Sequence, residues 1–541
     1  MARPFRAADV PSGSYRIARV PVFLARIPRF LRRWWVDTRL PPPLANLLFD
    51  RVGAAVVSVF ARVRRTHPTL ELSVHELGID NAQRVVEWLT ESGVEPFLVE
   101  QRFDGFHFGV PLSDRDNVWS ALSSRGMSGD WSIRVERGRW RSRSQGFRGR
   151  TPRGHTWRVF RRRSHGPQRV GDLAAVELSF WEPGSSGLLE RIGYRGQHRF
   201  AADATPTIEV TPTWSFPGRA AFPVARGLEQ MRDPIDVVLT WVDGADPVWR
   251  AAFDQHREAV GLSPAHHSAH DSRYRSRDEL RYLLRSLWAY AGWVRRIHVV
   301  TAGQRPAWLI EDDCLRVVDH SEILPAAALP TFNSHSIEAS LHRIPDLAEH
   351  FIYFNDDMLL GRPTRPETFF TANGLPKVFS SDAIVLTDED DETRAADTAA
   401  RRGRELLDAQ FGRVVAHKPH HAPYALRVSS CEAMERDVQE LIDQTRHSRF
   451  RSSSDLSVAA SFAMHHALAR GVAVSGELAA EYVHVESGRL ALHLARTQWL
   501  GEFDAICINE TESPGGLDDR ERRISSFFET CYPVASPWER R

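Results

Sequence analysis

Residues 235–242, Ile-Asp-Val-Val-Leu-Thr-Trp-Val, form an almost unbroken apolar run that stops at Asp243-Gly244-Ala245-Asp246-Pro247. Such a run, bounded by turn residues, reads as a strand covered on both faces, the kind found in parallel sheets. A helical pattern follows. Leu280, Leu283, Leu284, Leu287 and Ala291 recur every three to four residues. Ser276 three residues before Glu279 matches a capping box, and Gly292 with Arg295-Arg296 suits the helix end. Residues 297–301 are the next strand. Strand, helix and strand in this order make a parallel crossover and restrict the chain to an α/β fold. The alternation continues with a strand at 315–318, a helix at 336–342 and a strand at 351–354. The expected architecture is a mostly parallel, Rossmann-like sheet with helices on both faces.

The last of these strands matters most. Phe351-Ile352-Tyr353-Phe354 runs directly into Asn355-Asp356-Asp357. Ligands of open α/β sheets collect at the carboxyl ends of strands. Two carboxylates there suit a hard cation such as Mg²⁺, which takes few protein oxygens and serves substrate phosphates. Taken alone, Asn-Asp-Asp also reads as a turn. Asp243 stands at the same kind of strand end, and two acidic sites on one sheet edge favour the cation or phosphate reading.

The flanking regions are less specific. The chain has 541 residues and a net charge of +1, so bulk charge gives no reason to expect a polyanion binder. Its 4 cysteines contain no C-x-x-C pair, which argues against a zinc knuckle and a disulfide scaffold and favours a reducing compartment. Neither a membrane span nor a signal peptide is evident. Residues 1–65 form a basic leader with Phe30, Leu31, Trp34 and Trp35. It reads as a packed helix with solvated arginines, or as a helix on an anionic membrane surface. Residues 66–136 read as a small α/β accessory domain with helices at 81–92 and 114–124 and a hairpin around Asp104-Gly105. Residues 137–230 read as an Arg-rich linker with short strands, and 231–541 as the main domain. The arginine run from Arg137 to Arg163 is a solvated loop or a grip on an anionic glycan or membrane; no nucleic-acid motif accompanies it.

Further along, Ala416-His417-Lys418-Pro419-His420-His421 places imidazoles beside a lysine, and Arg446 to Arg451 adds cations. Imidazoles can serve as metal ligands, bases or phosphate donors. At this point a resemblance emerges. Asp236-Val-Val-Leu-Thr-Trp-Val-Asp-Gly-Ala-Asp-Pro247 resembles the first characteristic block of the Stealth family of sugar-phosphate transferases. Arg275 to Ser286, Trp293 to Gln304, Leu329 to Phe332, Ile337-Glu338, Leu341 to Ile344 and Phe351 to Asp357 resemble its second block. Ala416 to His420 with Arg446 to Asp455 resembles the third, and Cys507-Ile-Asn-Glu-Thr511 the fourth. The blocks appear in order across residues 233–533. Three positions depart from the usual pattern: Leu239 replaces an aromatic, Ala302 often an Asn, and Glu510 an Asp.

The family includes bacterial capsule and exopolysaccharide phosphotransferases and the animal enzyme that transfers N-acetylglucosamine-1-phosphate. The resemblance therefore implies a sheet of the nucleotide-sugar transferase type. It implies transfer of a hexose-1-phosphate from a nucleoside diphosphate sugar to a hydroxyl of a polysaccharide or glycan, releasing the nucleoside monophosphate. It further implies Mg²⁺ or Mn²⁺ on Asp356 and Asp357 with Asn509 and Glu510, a general base at His420, and a phosphate clamp at Arg451. Asp243, Arg275, Glu338 and His417 are the expected substrate-binding residues. The expected location is cytoplasmic, with peripheral contact to the inner face of the cell membrane as a further expectation; nucleic acid is not an expected partner. Two rivals stand beside this reading: a metal-dependent glycosyltransferase releasing nucleoside diphosphate, and a non-catalytic polyanion-binding protein built on the arginine run.

Overall fold

The computed structural model describes residues 70–540, apart from 103–104, 127–129, 137–141, 146, 148–149, 185–187, 194–198, 202–206, 212–213, 218–227, 264–273, 386–394 and 511–516. The basic leader, and with it the expected membrane-surface helix, lies outside the described residues. No helix among the described residues is long and apolar enough to cross a membrane.

The main sheet has five strands. In chain order they are β1 (Ile235–Thr240), β2 (Arg296–Thr301), β3 (Leu315–Asp319), β4 (His350–Asn355) and β5 (Tyr424–Arg427). Their order in the sheet is β3-β2-β1-β4-β5. β1 to β4 are parallel, and β5 runs antiparallel to β4 with Tyr353 opposite Tyr424. Every residue of β1 except Thr240, and every residue of β4 except Asn355, is buried, so both faces of these strands are covered. This is the burial that a continuous apolar run predicts.

The chain lays down β1, β2 and β3 outward in one direction and then returns to place β4 on the other side of β1. The reversal leaves a crevice at the carboxyl ends of β1 and β4, where such folds bind ligands. Thr240 is paired with Asn355 at that point. The sheet order therefore brings Thr240-Trp241-Val242 beside Asn355-Asp356-Asp357.

Helix α1 (Glu279–Tyr290) runs beside Met358–Leu360 and inserts Leu280, Leu283, Leu284 and Leu287 into the core that also holds β1 and β2. Each fully buried leucine contributes roughly 1.5–3 kcal/mol. The expected capping box is not formed. Asp278 enters the helix at φ 64 with no side-chain cap, and the Glu279 carboxylate instead accepts the Arg277 backbone N–H. The expected 336–342 helix is two shorter pieces, Ser334–Glu338 and a 3₁₀ turn at Leu341–Arg343.

The accessory region differs from its expected division. Helix α2 (Val74–Thr90) starts earlier than its apolar stripe suggested, at a Ser73/Glu76 capping box. The predicted hairpin is present, Phe97–Arg102 against Gly105–Pro111. That hairpin, however, belongs to an eight-stranded sheet that also contains Trp131–Glu136, Thr156–Arg161 and Val176–Pro183. Described strands between residues 97 and 136 and between residues 142 and 201 thus share one sheet, and its core packs Trp119, Trp157, Leu178 and Phe180 together. Part of the arginine run is internal to it. Arg161 pairs with Asp80 and Arg163 with Asp130, and Arg158 donates to the Asp172 carbonyl at 2.9 Å; just before the run, Arg134 pairs with Asp172 at 2.7 Å. These guanidiniums are tied to the small sheet and its loops, whose core is apolar.

Candidate active site

A cavity of about 770 Å³ opens at the β1/β4 crevice. Its floor carries Asn355, Asp356 and Asp357, and one wall carries Trp241, Trp249, Tyr274 and Phe332. Trp249, Tyr274 and Phe332 belong to a separate apolar cluster with Phe253 and Phe450, whereas Trp241 packs against the main core. Gly244 allows this wall to close: a Cβ there would lie 2.5 Å from the Tyr274 carbonyl, which accepts the Gly244 N–H at 2.8 Å.

Two distant chain segments converge on Asp357. The strand Ala505–Asn509 pairs antiparallel with Met358–Leu360, and the Ile508 N–H donates to the Asp357 carbonyl at 3.0 Å. This register sets the Asn509 amide 2.8 Å and the Cys507 thiol 3.3 Å from Asp357 Oδ2. His421, just before β5, places Nε2 3.4 Å from the same oxygen. The other ring nitrogen lies 3.0 Å from the Tyr424 hydroxyl, which fixes the ring. Tyr353 donates to Asn355 Oδ1 at 2.6 Å, turning the Asn355 amide nitrogen toward His421 at 3.5 Å.

The two adjacent carboxylates are held in opposite electrostatic states. Burial, aggravated by Glu279 and Asp357, pushes the Asp356 carboxyl well above the usual range. Burial also acts to raise Asp357, but His421, Asn509 and Cys507 bring it below its ordinary value. Asp357 Oδ1 is buried and has no hydrogen-bond partner among the described residues. Two crowded carboxylates with an unsatisfied oxygen are a donor set that a divalent cation fits.

Cations line the same cavity. Arg451 donates to Ser334 Oγ at 2.7 Å. Its segment is anchored by Asp455, which accepts from Asn333 at 2.9 Å and from the Ser452 N–H at 3.0 Å, and by the buried Arg446, which bonds the Ala339 carbonyl and Glu435. Glu338 is buried beneath Arg451. Burial, only partly opposed by Arg451 and His421, raises its carboxyl to about 7.

The expected residues are therefore distributed unevenly. Asp356, Asp357, Asn509, Glu510, Arg275, Glu338 and Arg451 all line the cavity. Glu510 is engaged by Arg275 at 3.2 Å and by Arg277, so its carboxylate already holds two cations. His420 is not among the lining residues; its neighbour His421 is. The His420 N–H is tied to the Phe379 carbonyl at 2.8 Å, and the His420 carbonyl accepts the Ala422 N–H at 2.9 Å, a tight turn centred on His421. His417 is exposed and away from the cavity. The Asp243 carboxylate accepts the Ala245 N–H at 2.9 Å, and its backbone pairs with Gln304, so it shapes the turn after β1 without lining the cavity. His421, Cys507 and Arg277 were not singled out by sequence. The third imidazole of the His417–His421 cluster was the available signal for His421; Cys507 and Arg277 lay inside the fourth and second characteristic blocks without being assigned a role.

Comparison with known proteins follows the same segments. The description Stealth protein CR1, conserved region 1, matches residues 233–259, CR2 matches 273–378, and CR3 matches 420–468. An exopolysaccharide phosphotransferase of Streptomyces coelicolor is 38% identical over 517 residues, covering 90% of this chain and 86% of that one. The exopolysaccharide phosphotransferase CpsY of Mycobacterium leprae is 34% identical over 397 residues, 71% of each chain. Among solved structures, the galactosyltransferase LgtC in complex with donor and acceptor sugar analogs aligns with a TM-score of 0.30 at 12% identity, covering 56% of this chain and 96% of that one, a likeness too slight to add to the fold described above.

Proposed function

The chain belongs to the Stealth family and is a phosphotransferase, and from that premise we propose that it moves a hexose-1-phosphate from a nucleoside diphosphate sugar onto a hydroxyl of a growing polysaccharide. One observation carries this reading: a carboxylate pair at the sheet's reversal point lines the same cavity as Arg451, Arg275 and Arg277. Phosphoryl transfer is mainly positioning and electrostatic stabilisation, and it needs cations and carboxylates drawn from distant segments.

In the proposed reaction the acceptor hydroxyl attacks the phosphorus that bears the sugar. A new P–O bond forms, the bridging P–O bond of the diphosphate breaks, and nucleoside monophosphate leaves. His421 takes the hydroxyl proton, the role that the sequence pattern had suggested for His420. An imidazole can accept a proton from a positioned hydroxyl, and the bond to Tyr424 holds the ring in place. Arg451 presents a guanidinium fork to the phosphoryl oxygens. Arg275 and Arg277, tied by Glu510, flank the donor's phosphates. Asp356 and Asp357, with the Asn509 amide, would hold Mg²⁺ or Mn²⁺; bound there, the cation supplies charge neutralisation for the departing nucleotide. The aromatic wall of Trp241, Trp249 and Tyr274 offers stacking surface to a base or a sugar ring.

Incubating the protein with a panel of nucleoside diphosphate sugars, a glycan acceptor and a divalent cation, then identifying the released nucleotide, tests the proposal. Nucleoside monophosphate is the expected product. Release of nucleoside diphosphate instead would establish ordinary glycosyl transfer in the same cavity.

A further inference from the structure

Asp357 has two oxygens in different surroundings. Oδ1 has no hydrogen-bond partner among the described residues, whereas Oδ2 faces His421 Nε2 at 3.4 Å and Cys507 Sγ at 3.3 Å. These three donor atoms all lie within 4.8 Å of one another. A tetrahedral zinc ion with bonds of about 2.0–2.3 Å sets its ligand atoms about 3.3–3.8 Å apart. Two of the three separations already match. The arrangement also has an outer support that zinc sites need: the second nitrogen of His421 bonds the Tyr424 hydroxyl, and Asn509 holds Asp357 Oδ2 at 2.8 Å.

The donor set is wrong for Mg²⁺, which takes oxygen, and right for a borderline-soft ion, because it combines sulfur, imidazole and carboxylate. We infer that Asp357 Oδ2, His421 Nε2 and Cys507 Sγ form a second cation position, selective for a thiophilic divalent ion such as Zn²⁺, and that its occupation arrests transfer. Binding replaces two hydrogen-bonded contacts to Oδ2. The Cys507 S–H bond is lost, its proton passes to solvent, and a metal–thiolate bond forms with no change of oxidation state. The fourth position faces the cavity, since Asp357 and His421 line it while Cys507 lies behind them, buried. Arrest follows because the imidazole lone pair is then bonded to metal and cannot accept the acceptor's proton; this half of the inference rests on the role proposed above for His421.

Cadmium titration of the full-length protein tests the site directly, because Cd²⁺–thiolate bonds give a charge-transfer band in the ultraviolet. The exposed Cys314 is first replaced, Cys314→Ser, to remove a competing thiol. One equivalent of Cd²⁺ should develop the band, Cys507→Ser should abolish it, and His421→Ala should weaken binding at least about tenfold. Circular dichroism of both variants checks that they fold, and the His421 variant keeps the test alive if the Cys507 variant does not. A missing band, or one that survives Cys507→Ser in the folded protein, overturns the site. In parallel, Zn²⁺ added to the magnesium-supported reaction should suppress transfer, and a chelator should restore it. A Cys507-dependent band with undiminished transfer overturns the arrest and places the fault in the role given to His421, not in the site.

Discussion

The two ends of the main sheet treat the same residue type in opposite ways. Asp236 stands near the amino end of β1, fully buried, and every demand of its carboxylate is met. Arg295 grips it twice, at 2.8 and 2.5 Å, His298 lies at 3.1 Å, and the Ala348 N–H donates at 2.9 Å. Burial alone would raise its carboxyl; Arg295, His298 and Ala348 bring it to about 2. Asp356 and Asp357 stand past the carboxyl end of β4, one pushed well up by burial and the other left with an unsatisfied oxygen. A carboxylate that its own protein satisfies has a structural task. One that it leaves wanting is built for something that arrives from outside.

The sharpest way to break this contrast is Asp357→Asn. Transfer should fall by about 10³-fold or more, with no loss of thermal stability, because the variant relieves crowding. A folded, fully active Asp357→Asn protein would sink the cation assignment. Next come the adjacent histidines. His421→Ala should lower kcat by about 10²–10⁴-fold. His420→Ala should change it about twofold, the effect expected of a side chain outside the site. Equal losses from both would mean that the loop moves as a unit and that the cavity does not choose between them.

At the other end of the sheet the damage should be to stability. Asp236→Ala leaves Arg295 and His298 without their partner and should cost about 3–5 kcal/mol, measured by denaturant unfolding. The acid form of the same test needs no mutation. Asp236 is depressed from 3.8 to about 2 in the folded state, so its contribution is fully present above the unfolded value. It is lost as pH falls through that window, a slope worth about 2 kcal/mol that Asp236→Asn should remove.

Glu338 should show the opposite sign. Its carboxyl is raised from 4.5 to about 7, so the folded state holds an extra proton between those values. Stability should therefore decline as pH rises through that range, by about 3 kcal/mol, and Glu338→Gln should flatten the decline. The smallest effect belongs to the accessory sheet. Arg134→Ala breaks a half-exposed pair with Asp172 and should cost under about 1 kcal/mol without touching transfer.

The sequence made the scaffold of the site readable and its finer pairing unreadable. β1 and β4 could be placed because their apolar runs are continuous, and Asp356-Asp357 could be placed because the run ends there. Choosing His421 over His420 was out of reach: the two are adjacent, and the choice follows from the register that sets Tyr424 opposite Tyr353. Glu510 looked like a free carboxylate because its partners Arg275 and Arg277 are more than two hundred residues away. In the accessory region, the arginines of Thr156–Arg161 masked a strand whose Trp157 and Val159 are buried. A charge run is legible as charge, but whether it meets solvent or Asp80, Asp130 and Asp172 is decided by strands that the charges themselves conceal.

The strand that reaches Asp357 also sets a timetable. Asn509 is separated from Asp357 by 152 residues, so at ~5–20 residues per second a ribosome needs ~8–30 s to deliver it after making the carboxylate. Throughout that interval β1 to β4 can assemble, while the acidic floor lacks its amide, its thiol and the two arginines' tether at Glu510. A nascent chain therefore carries an organised sheet before it carries a competent centre. The transfer proposed above becomes available only once residues 505–510 have been added.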